Sequence, residues 1–177
     1  MSLHYAFEPG FRLFLYGEVF IKTFPLLSGL ILLSLMAGAP AGDLSCRVTA
    51  VLDGDTADCY DGREKYRIRL NHIDAPEKSQ PFGRASKRNL SDMIYGKTVT
   101  AEIEGQDRYG RYLGVIYIDG VNVNVRQTED GMAWAYRSAS TGKEYVFGEM
   151  FARDRRLGLW QDPFPEYPGD FRKRNRK

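Results

Sequence analysis

Three aspartates lie within six residues of the segment VLDGDTADCY, at positions 53, 55 and 58. An Asp-Gly pair favours a tight turn by itself, but carboxylates this close repel one another unless solvent or a cation lies beside them. Two more acids, Asp74 and Glu77, follow in the segment IDAPE. Because hard divalent cations prefer carboxylate and carbonyl oxygens, Asp55, Asp74 and Glu77 are a candidate metal site. The alternative, in which these segments are only solvated turns, stays open on the acids alone.

Two arginines lie near these acids in the sequence. Arg69 precedes Asp74 by five residues, and Arg111 lies in the turn DRYGRY beside Tyr109. In phosphodiester hydrolysis a metal ion polarises a phosphoryl oxygen, arginines neutralise the charge of the transition state, and a carboxylate activates water. Each arginine alone is more often a solvated surface residue. Together with the acids, the two arginines complete the set of groups that this reaction needs.

The elements that must position these residues are mostly strands. The segments RVTAVL and TADCY flank the aspartate turn, and the following segment alternates apolar with polar side chains from Tyr66 to Asn71. This period of two predicts a half-buried strand with Arg69 on its polar face. The segments KTVTAEIEG and DRYGRYLGVIYIDG predict two further strands. Five short strands with helices favour an α+β fold, a small Greek-key barrel with appended helices.

Helices are predicted over residues 84–95, ended by Gly96, and over 143–156, ended by Gly158. The second helix carries an apolar face, made of Val146, Phe147, Met150 and Phe151. The segment VNVNVRQTEDG is ambiguous, because its valines alternate as in a strand while Gly131 suits the end of a helix.

Composition indicates a globular domain with additional segments at both ends of the chain. The 177 residues are 43% hydrophobic and 27% charged, which excludes a disordered protein, and a net charge of +2 gives no argument for a polyanionic partner. Five basic residues are concentrated in the terminal FRKRNRK. We expect residues 163–177 to form a Pro-rich and then basic tail, either contacting a polyanion or disordered.

An uncharged apolar segment, residues 24–41, predicts export. Its dense part is as long as the core of a signal peptide and short for a membrane span, and Ala39-Pro40-Ala41 suits a signal peptidase. We expect residues 1–41 to be a signal peptide and the protein to be secreted or periplasmic. The region before it is long and not clearly basic, which an uncleaved anchor in the inner membrane or a start codon assigned too early would each explain.

The two cysteines flank the aspartate turn at nearly equal distances. If the flanking strands pair as a hairpin, Cys46 and Cys59 come roughly opposite each other, and an oxidising compartment favours a disulfide. Two separate buried thiols are the alternative.

The chain resembles the staphylococcal nuclease family. The segments VLDGDT, RIRLNHIDAPE, DRYGRYLGVIYIDG, EDGMAWAY and RLGLW occur in the order and approximate spacing of that family, from about Val48 to Trp160. The resemblance implies a five-stranded OB-type Greek-key barrel with three appended helices over residues 42–162. It also implies Ca²⁺-dependent cleavage of DNA and RNA that leaves 3′-phosphate ends, and it favours a helix ending at Gly131.

The resemblance also implies roles for individual residues. Asp55 and Asp74 are similar to the calcium carboxylates, and the backbone carbonyl of Ala75 to a further ligand. Glu77 resembles the general base that positions the attacking water. The remaining positions are Arg69 and Arg111 as the phosphate-binding pair, Asp53 as a residue orienting the metal ligands, and Tyr109 and Tyr136 at the border of the nucleotide pocket.

This chain departs from the best-known member in three places, one of which is the segment GMAWAY, shorter here by one residue. The loop after Glu77 is shorter, and Ser138 stands where that member has a second pocket tyrosine. We expect Asp58 to face solvent without a special role. The rival interpretation is a non-catalytic OB-fold module that binds nucleic acid or protein. For the nuclease we expect a monomer with no obligate protein partner.

Overall fold

The computed structural model describes residues 42–176. The strands are β1 (Gly42–Asp53), β2 (Thr56–Tyr60), β3 (Lys65–Leu70), β4 (Ile73–Asp74), β5 (Thr98–Gln106), β6 (Tyr112–Ile118), β7 (Val121–Asn122) and β8 (Trp134–Ala135). The helices are α1 (Gly83–Ile94), α2 (Val123–Glu129), α3 (Lys143–Asp154) and α4 (Pro168–Arg174), with a 3₁₀ turn at Gly158–Gln161.

Five strands close into a barrel. They follow the order β3-β2-β1-β5-β6, and β3 also pairs in parallel with β6, which joins the two edges of the sheet. The short β7 adds to the edge of β6, while β4 and β8 form a separate two-stranded ladder. The predicted α+β fold, a five-stranded OB-type barrel with appended helices, is confirmed.

Alternation of side chains explains why the strands bury one face. In β3 the residues Tyr66, Ile68 and Leu70 are buried and the intervening residues are more exposed, as the sequence predicts. In β5 the buried positions Val99, Ala101 and Ile103 repeat the pattern. Both sets join one apolar core, together with Leu90 and Ile94 of α1.

The ambiguous segment VNVNVRQTEDG is a helix after a two-residue strand. Asn122 caps α2, because its side-chain oxygen accepts a 3.0 Å hydrogen bond from the backbone N–H of Val125. The chain leaves the helix through Gly131, whose φ of +67° suits a residue without a Cβ. A Cβ there would also overlap the carbonyl of Leu157. The helix interpretation is therefore confirmed.

Helix α3 has the predicted position but packs through another face. Its buried residues are Tyr145, Gly148 and Ala152, and the absence of a Cβ at Gly148 lets α3 approach Thr128 and Glu129 of α2 closely. The apolar face predicted from the sequence is largely exposed, and it comprises Val146, Phe147, Met150 and Phe151. It is therefore not the face through which α3 packs.

The C-terminal residues belong to the folded unit. Tyr167 packs edge-on against Trp134 in a second apolar cluster, with ring centroids 5.5 Å apart. Helix α4 follows directly, so the chain has four α-helices in its described residues rather than three. The expected domain end at residue 162 is not a limit of the packing. Residues 163–176 include this helix and pack on the preceding residues, so they do not form a disordered tail, and contact with a polyanion stays a prediction.

The hairpin of β1 and β2 brings the two cysteines together. Cys59 pairs across the hairpin with Val48, and Cys46 lies diagonally opposite on the same face. Their sulfurs are joined in a disulfide within the core. Within residues 42–176 no helix has the length and apolarity to cross a membrane. The predicted signal peptide lies outside the described residues.

Candidate active site

The turn between β1 and β2 holds two of the three clustered aspartates. Asp53 accepts a 3.0 Å hydrogen bond from the backbone N–H of Asp55, which fixes the turn. Gly54 lies against α1 so closely that a Cβ would overlap the Ser86 side chain. The carboxylate of Asp55 then points inward, where it accepts hydrogen bonds from the Thr56 hydroxyl at 3.0 Å and the Ala75 backbone N–H at 2.8 Å.

Asp74 comes to the same place from the short ladder of β4 and β8. Its backbone pairs with Trp134, and its side chain is fully buried. Arg69 at the end of β3 lies between the two acids, with Nη2 3.1 Å from an oxygen of Asp55 and 3.1 Å from an oxygen of Asp74. The other amino group of Arg69 donates to the backbone carbonyls of Ile73, at 2.9 Å, and Leu70. The structure therefore unites Asp55, Asp74 and Arg69 in one cluster.

Glu77 lies at the rim of this cluster on the loop after Pro76. Its backbone N–H donates to the Gln80 side chain at 3.1 Å, and its carbonyl accepts from the Gln80 N–H at 2.8 Å. Gln80 in turn donates to the backbone carbonyl of Glu166 at 2.5 Å. The Glu77 side chain is 39% exposed, so water reaches its carboxylate.

Burial sets the electrostatics of the acids. Burial and, after it, the negative charge of Asp55 together raise the pKa of Asp53 to about 6. Burial also raises the pKa of Asp74, whereas a hydrogen bond from Arg172 and the charge of Arg69 act in the opposite direction. Because two guanidinium groups face this one carboxyl, we assign Asp74 as ionised in this arrangement.

Arg111 and Tyr109 lie together, apart from the acidic cluster. Arg111 pairs with Asp107, with Nη2 2.8 Å from a carboxylate oxygen, and its guanidinium is 5.8 Å from the centre of the Tyr109 ring. These residues line a recess with Lys65 and Arg67 of β3. Tyr109 is 66% exposed and Tyr136 is 46% exposed, and Tyr136 lines a different recess with Ser138.

Asp58 is buried, contrary to the expectation from the sequence. We expected it to face solvent, but it is only 3% exposed and lies below the recess that contains Arg111. Arg67 Nε is 2.7 Å from one of its oxygens and Lys65 Nζ is 2.8 Å from the other. The hydrogen bond from Arg67 lowers the pKa of Asp58, and Lys65 adds to this effect. Asp58 therefore anchors the basic side chains of β3.

The comparisons with known proteins concern this same region. Residues 67–162 match the family described as staphylococcal nuclease homologue. The chain belongs to the staphylococcal nuclease family. It is 38% identical over 152 residues to an uncharacterized endonuclease of Haemophilus influenzae, covering 85% of each chain. It is 44% identical over 133 residues to an uncharacterized endonuclease of Escherichia coli, covering 75% of this chain and 87% of that one. A micrococcal nuclease of Shigella flexneri is 38% identical over 151 residues, with 78% and 87% covered.

The donor chemistry of this staphylococcal nuclease homologue fits a hard divalent cation. Oxygen ligands are available from Asp55 and Asp74, and the repulsion between Asp53 and Asp55 is of the kind that a cation relieves. Within residues 42–176, no three acid, histidine or cysteine side chains converge as a preformed metal cluster. The chain would hold the ion with the carboxylates of Asp55 and Asp74 and the backbone carbonyl of Ala75. Waters or phosphate oxygens would complete the coordination shell.

Sequence reasoning missed one residue in this site, Arg172 of α4. Its guanidinium contacts both oxygens of Asp74, at 2.9 and 3.2 Å, and an oxygen of Glu77 at 2.7 Å. The residue lies ten positions beyond the matched family region, which ends at residue 162. The only signal in the sequence is the basic run FRKRNRK, which does not distinguish one arginine from the others.

Proposed function

We propose that the protein is a Ca²⁺-dependent nuclease that hydrolyses phosphodiester bonds of DNA and RNA with little sequence preference. A nuclease activity follows from the family to which the chain belongs. The observation that carries the finer proposal is the placement of Arg69 at 3.1 Å from both Asp55 and Asp74. A cation held by these acids and an arginine beside them would address the same phosphate from two sides.

Calcium is the proposed ion because the available donors are hard oxygens in a loose arrangement. Asp55, Asp74 and the carbonyl of Ala75 would hold it, and Asp53 would orient Asp55 through the hydrogen bond to its backbone N–H. When bound, the ion polarises a phosphoryl oxygen of the substrate.

The chain's own residues would supply the rest of the reaction. Glu77 is exposed at the rim of the cluster, where its carboxylate would take a proton from the attacking water. Arg69 would neutralise charge on the phosphoryl oxygens, since a forked guanidinium suits two oxygens at once. In-line attack from the Glu77 side would break the P–O5′ bond, which leaves 3′-phosphate ends.

The path of the nucleic acid is proposed from exposed arginine and aromatic side chains. Arg111 would bind phosphate from the recess that it shares with Tyr109. The exposed rings of Tyr109 and Tyr136 would stack on bases, which gives affinity without sequence preference. This path suits single-stranded or locally opened nucleic acid.

We also propose that the protein is exported and acts as a monomer. The disulfide between Cys46 and Cys59 supports an oxidising compartment, either outside the cell or in the periplasm. Anchoring to the inner membrane by the N-terminal segment is the alternative. Fractionation with size measurement of the cell-associated and released protein distinguishes a chain shortened by cleavage near residue 41 from an intact anchored one.

The proposed function is tested by digestion of plasmid DNA, denatured DNA and RNA with Ca²⁺ or with a chelator. We expect Ca²⁺-dependent cleavage and a loss of about 10²–10⁴-fold in kcat for Glu77→Gln, because a positioned base is removed while the shape is kept. Glu64→Gln is the matched control, since Glu64 is exposed on the β2–β3 turn away from the acids. Folded protein that binds DNA without cutting it would instead establish the non-catalytic binding module.

A further inference from the structure

The C-terminal helix α4 is fastened beside the acidic cluster by contacts on both sides. Ahead of the helix, Tyr167 is only 9% exposed and packs on Trp134. Burial and, after it, the negative charge of Asp74 together raise the pKa of Tyr167 to about 12. Arg174 of α4 pairs with Glu166 at 2.7 Å. These contacts hold α4 in one orientation.

In this orientation Arg172 engages the two acids that the proposed reaction needs most. Its two amino groups take both oxygens of Asp74, and one of them also contacts Glu77. Burial lowers the pKa of Arg172, but the hydrogen bonds with Asp74 and Glu77 outweigh this and raise it. The guanidinium therefore acts as a cation bound at the site by a segment of the same chain.

Arg172 and a metal ion would use the same oxygens. Asp74 is fully buried and accepts one hydrogen bond from Arg69 and two from docked Arg172, which occupy three of its about four lone-pair sites. A second cation at Asp74 would also lie within a few ångströms of the guanidinium and be repelled by it. Docked Arg172 likewise holds one oxygen of Glu77 in an ion pair, so only the other carboxylate oxygen is left for a water.

We propose that α4 is an autoinhibitory segment in which Arg172 competes with the divalent cation for Asp74 and Glu77. This inference rests on the metal site of the proposed function. The device is reversible because α4 has only seven residues, and so short a helix depends on its docking contacts rather than on its own stability. Arg172 itself is 36% exposed, so it leaves the site without opening the core.

The size of the effect follows from the docked fraction. A ligand that binds only the open form has its dissociation constant raised by the inverse of the open fraction. If α4 is docked about nine-tenths of the time, Ca²⁺ binds about tenfold more weakly than to the open site. Ca²⁺ binding must release α4 to the same extent, because the two equilibria are linked.

Calorimetric titration of the full chain with Ca²⁺ tests the competition. We expect Arg172→Ala to bind Ca²⁺ about tenfold more tightly than the wild type, and Arg172→Lys to tighten binding as well, because a lysine keeps the charge but loses the fork. Arg176→Ala is the matched control, since it removes the same charge from the exposed end of the tail, and we expect less than a twofold change.

Hydrogen exchange of the amides of α4 gives a second measurement that does not depend on activity. We expect added Ca²⁺ to speed exchange at residues 169–174 in the wild type, and not when Asp55→Asn weakens the metal site. Ca²⁺ binding with equal affinity in the wild type and Arg172→Ala, or with unchanged exchange in α4, would overturn the autoinhibition while leaving the nuclease proposal intact.

Two further outcomes separate the two proposals. If neither the wild type nor Arg172→Ala binds Ca²⁺, the metal site of the proposed function fails and the competition fails with it. If Arg172→Ala lowers kcat at saturating Ca²⁺ without tightening Ca²⁺ binding, Arg172 contacts the substrate and is not an inhibitor. Higher activity of Arg172→Ala only at limiting Ca²⁺, with equal activity at saturation, supports the competition.

Discussion

The buried amide of Gln127 is the contact through which the helices hold the aspartate turn, and we expect its loss to be costly. Gln127 is fully buried in α2, and its Nε2 donates to the carbonyl of Gly54 at 2.6 Å and toward that of Ser86 at 3.4 Å. Its oxygen accepts from Asn89 at 2.7 Å. Gly54 lies between the two site aspartates, so this one side chain links α1, α2 and the β1–β2 turn.

Gln127→Met keeps the length of the side chain and removes its polar atoms. The Gly54 carbonyl then loses its donor in a buried place, which costs about 1–3 kcal/mol. Asn89 keeps its 3.0 Å bond to Asp130, so it adds little. We expect a loss of about 2 kcal/mol in the free energy of unfolding, which for a domain of this size lowers Tm by about 8 °C.

Urea unfolding followed by tryptophan fluorescence measures this change. The matched control is Gln106→Met, because Gln106 makes one exposed bond, at 2.9 Å to the carbonyl of Gly110. We expect the control to stay within about 0.5 kcal/mol of the wild type. If Gln127→Met did the same, the buried amide would not support the turn and the reasoning would be refuted.

Three other changes test the packing around the barrel. Gly131→Ala should lower the free energy of unfolding, measured in urea, by much more than Gly96→Ala. Both glycines have a positive φ, but only at Gly131 would a Cβ overlap backbone atoms. Equal losses in the two variants would contradict this packing. The ionised Asp58 carboxylate stabilises the wild type above the ordinary pKa of an aspartate, and this contribution is lost as the pH falls below about 4. Asp58→Asn should remove the same contribution from the free energy of unfolding at neutral pH. This loss is about 1 kcal/mol or less, since Arg67 and Lys65 are exposed, and a stability difference unchanged between pH 7 and pH 3 would contradict it. Replacing Cys46 and Cys59 by alanine should lower the free energy of unfolding by about 3 kcal/mol for a loop of this length, and the same midpoint for variant and wild type would refute it.

The barrel was predictable because its signal is local. Alternation in β3 and β5 follows directly from the period of a strand, and the same polar face placed Arg69 toward the acids. The acids of the cluster were also predictable from turn chemistry and from the family resemblance. Their roles remain proposals, but the contact between Asp55, Arg69 and Asp74 is in the structure.

The packing face of α3 and the burial of Asp58 could not be predicted, because both depend on contacts that the local sequence does not encode. On α3 the predicted apolar face is exposed, because the helix packs closely on α2 through Gly148, where a Cβ would overlap the Thr128 side chain. Asp58 is buried because the long side chains of Arg67 and Lys65 cover it, which no pattern within β2 reveals.

Arg172 contacts Asp74 and Glu77 across 98 and 95 residues. Its neighbours in the basic run have the same charge and a similar length. Arg172 reaches Asp74 because the packing of Tyr167 on Trp134 fixes the orientation of α4. That orientation depends on tertiary packing and not on the local sequence.

The pairing of β4 with β8 also sets when the site is assembled during synthesis. Asp74 is held by a strand that ends at Ala135, and β3 with Arg69 is closed only by β6, which ends at Ile118. A ribosome-bound chain from which β6 and β8 have not yet emerged therefore contains the acids but lacks the strands that bring them together. We expect ribosome-bound chains ending before β8 to be inactive even with abundant Ca²⁺, and cleavage by such chains would contradict this order. Under the proposed function, this order of assembly would keep the nascent chain from cleaving the messenger RNA and ribosome from which it is being made.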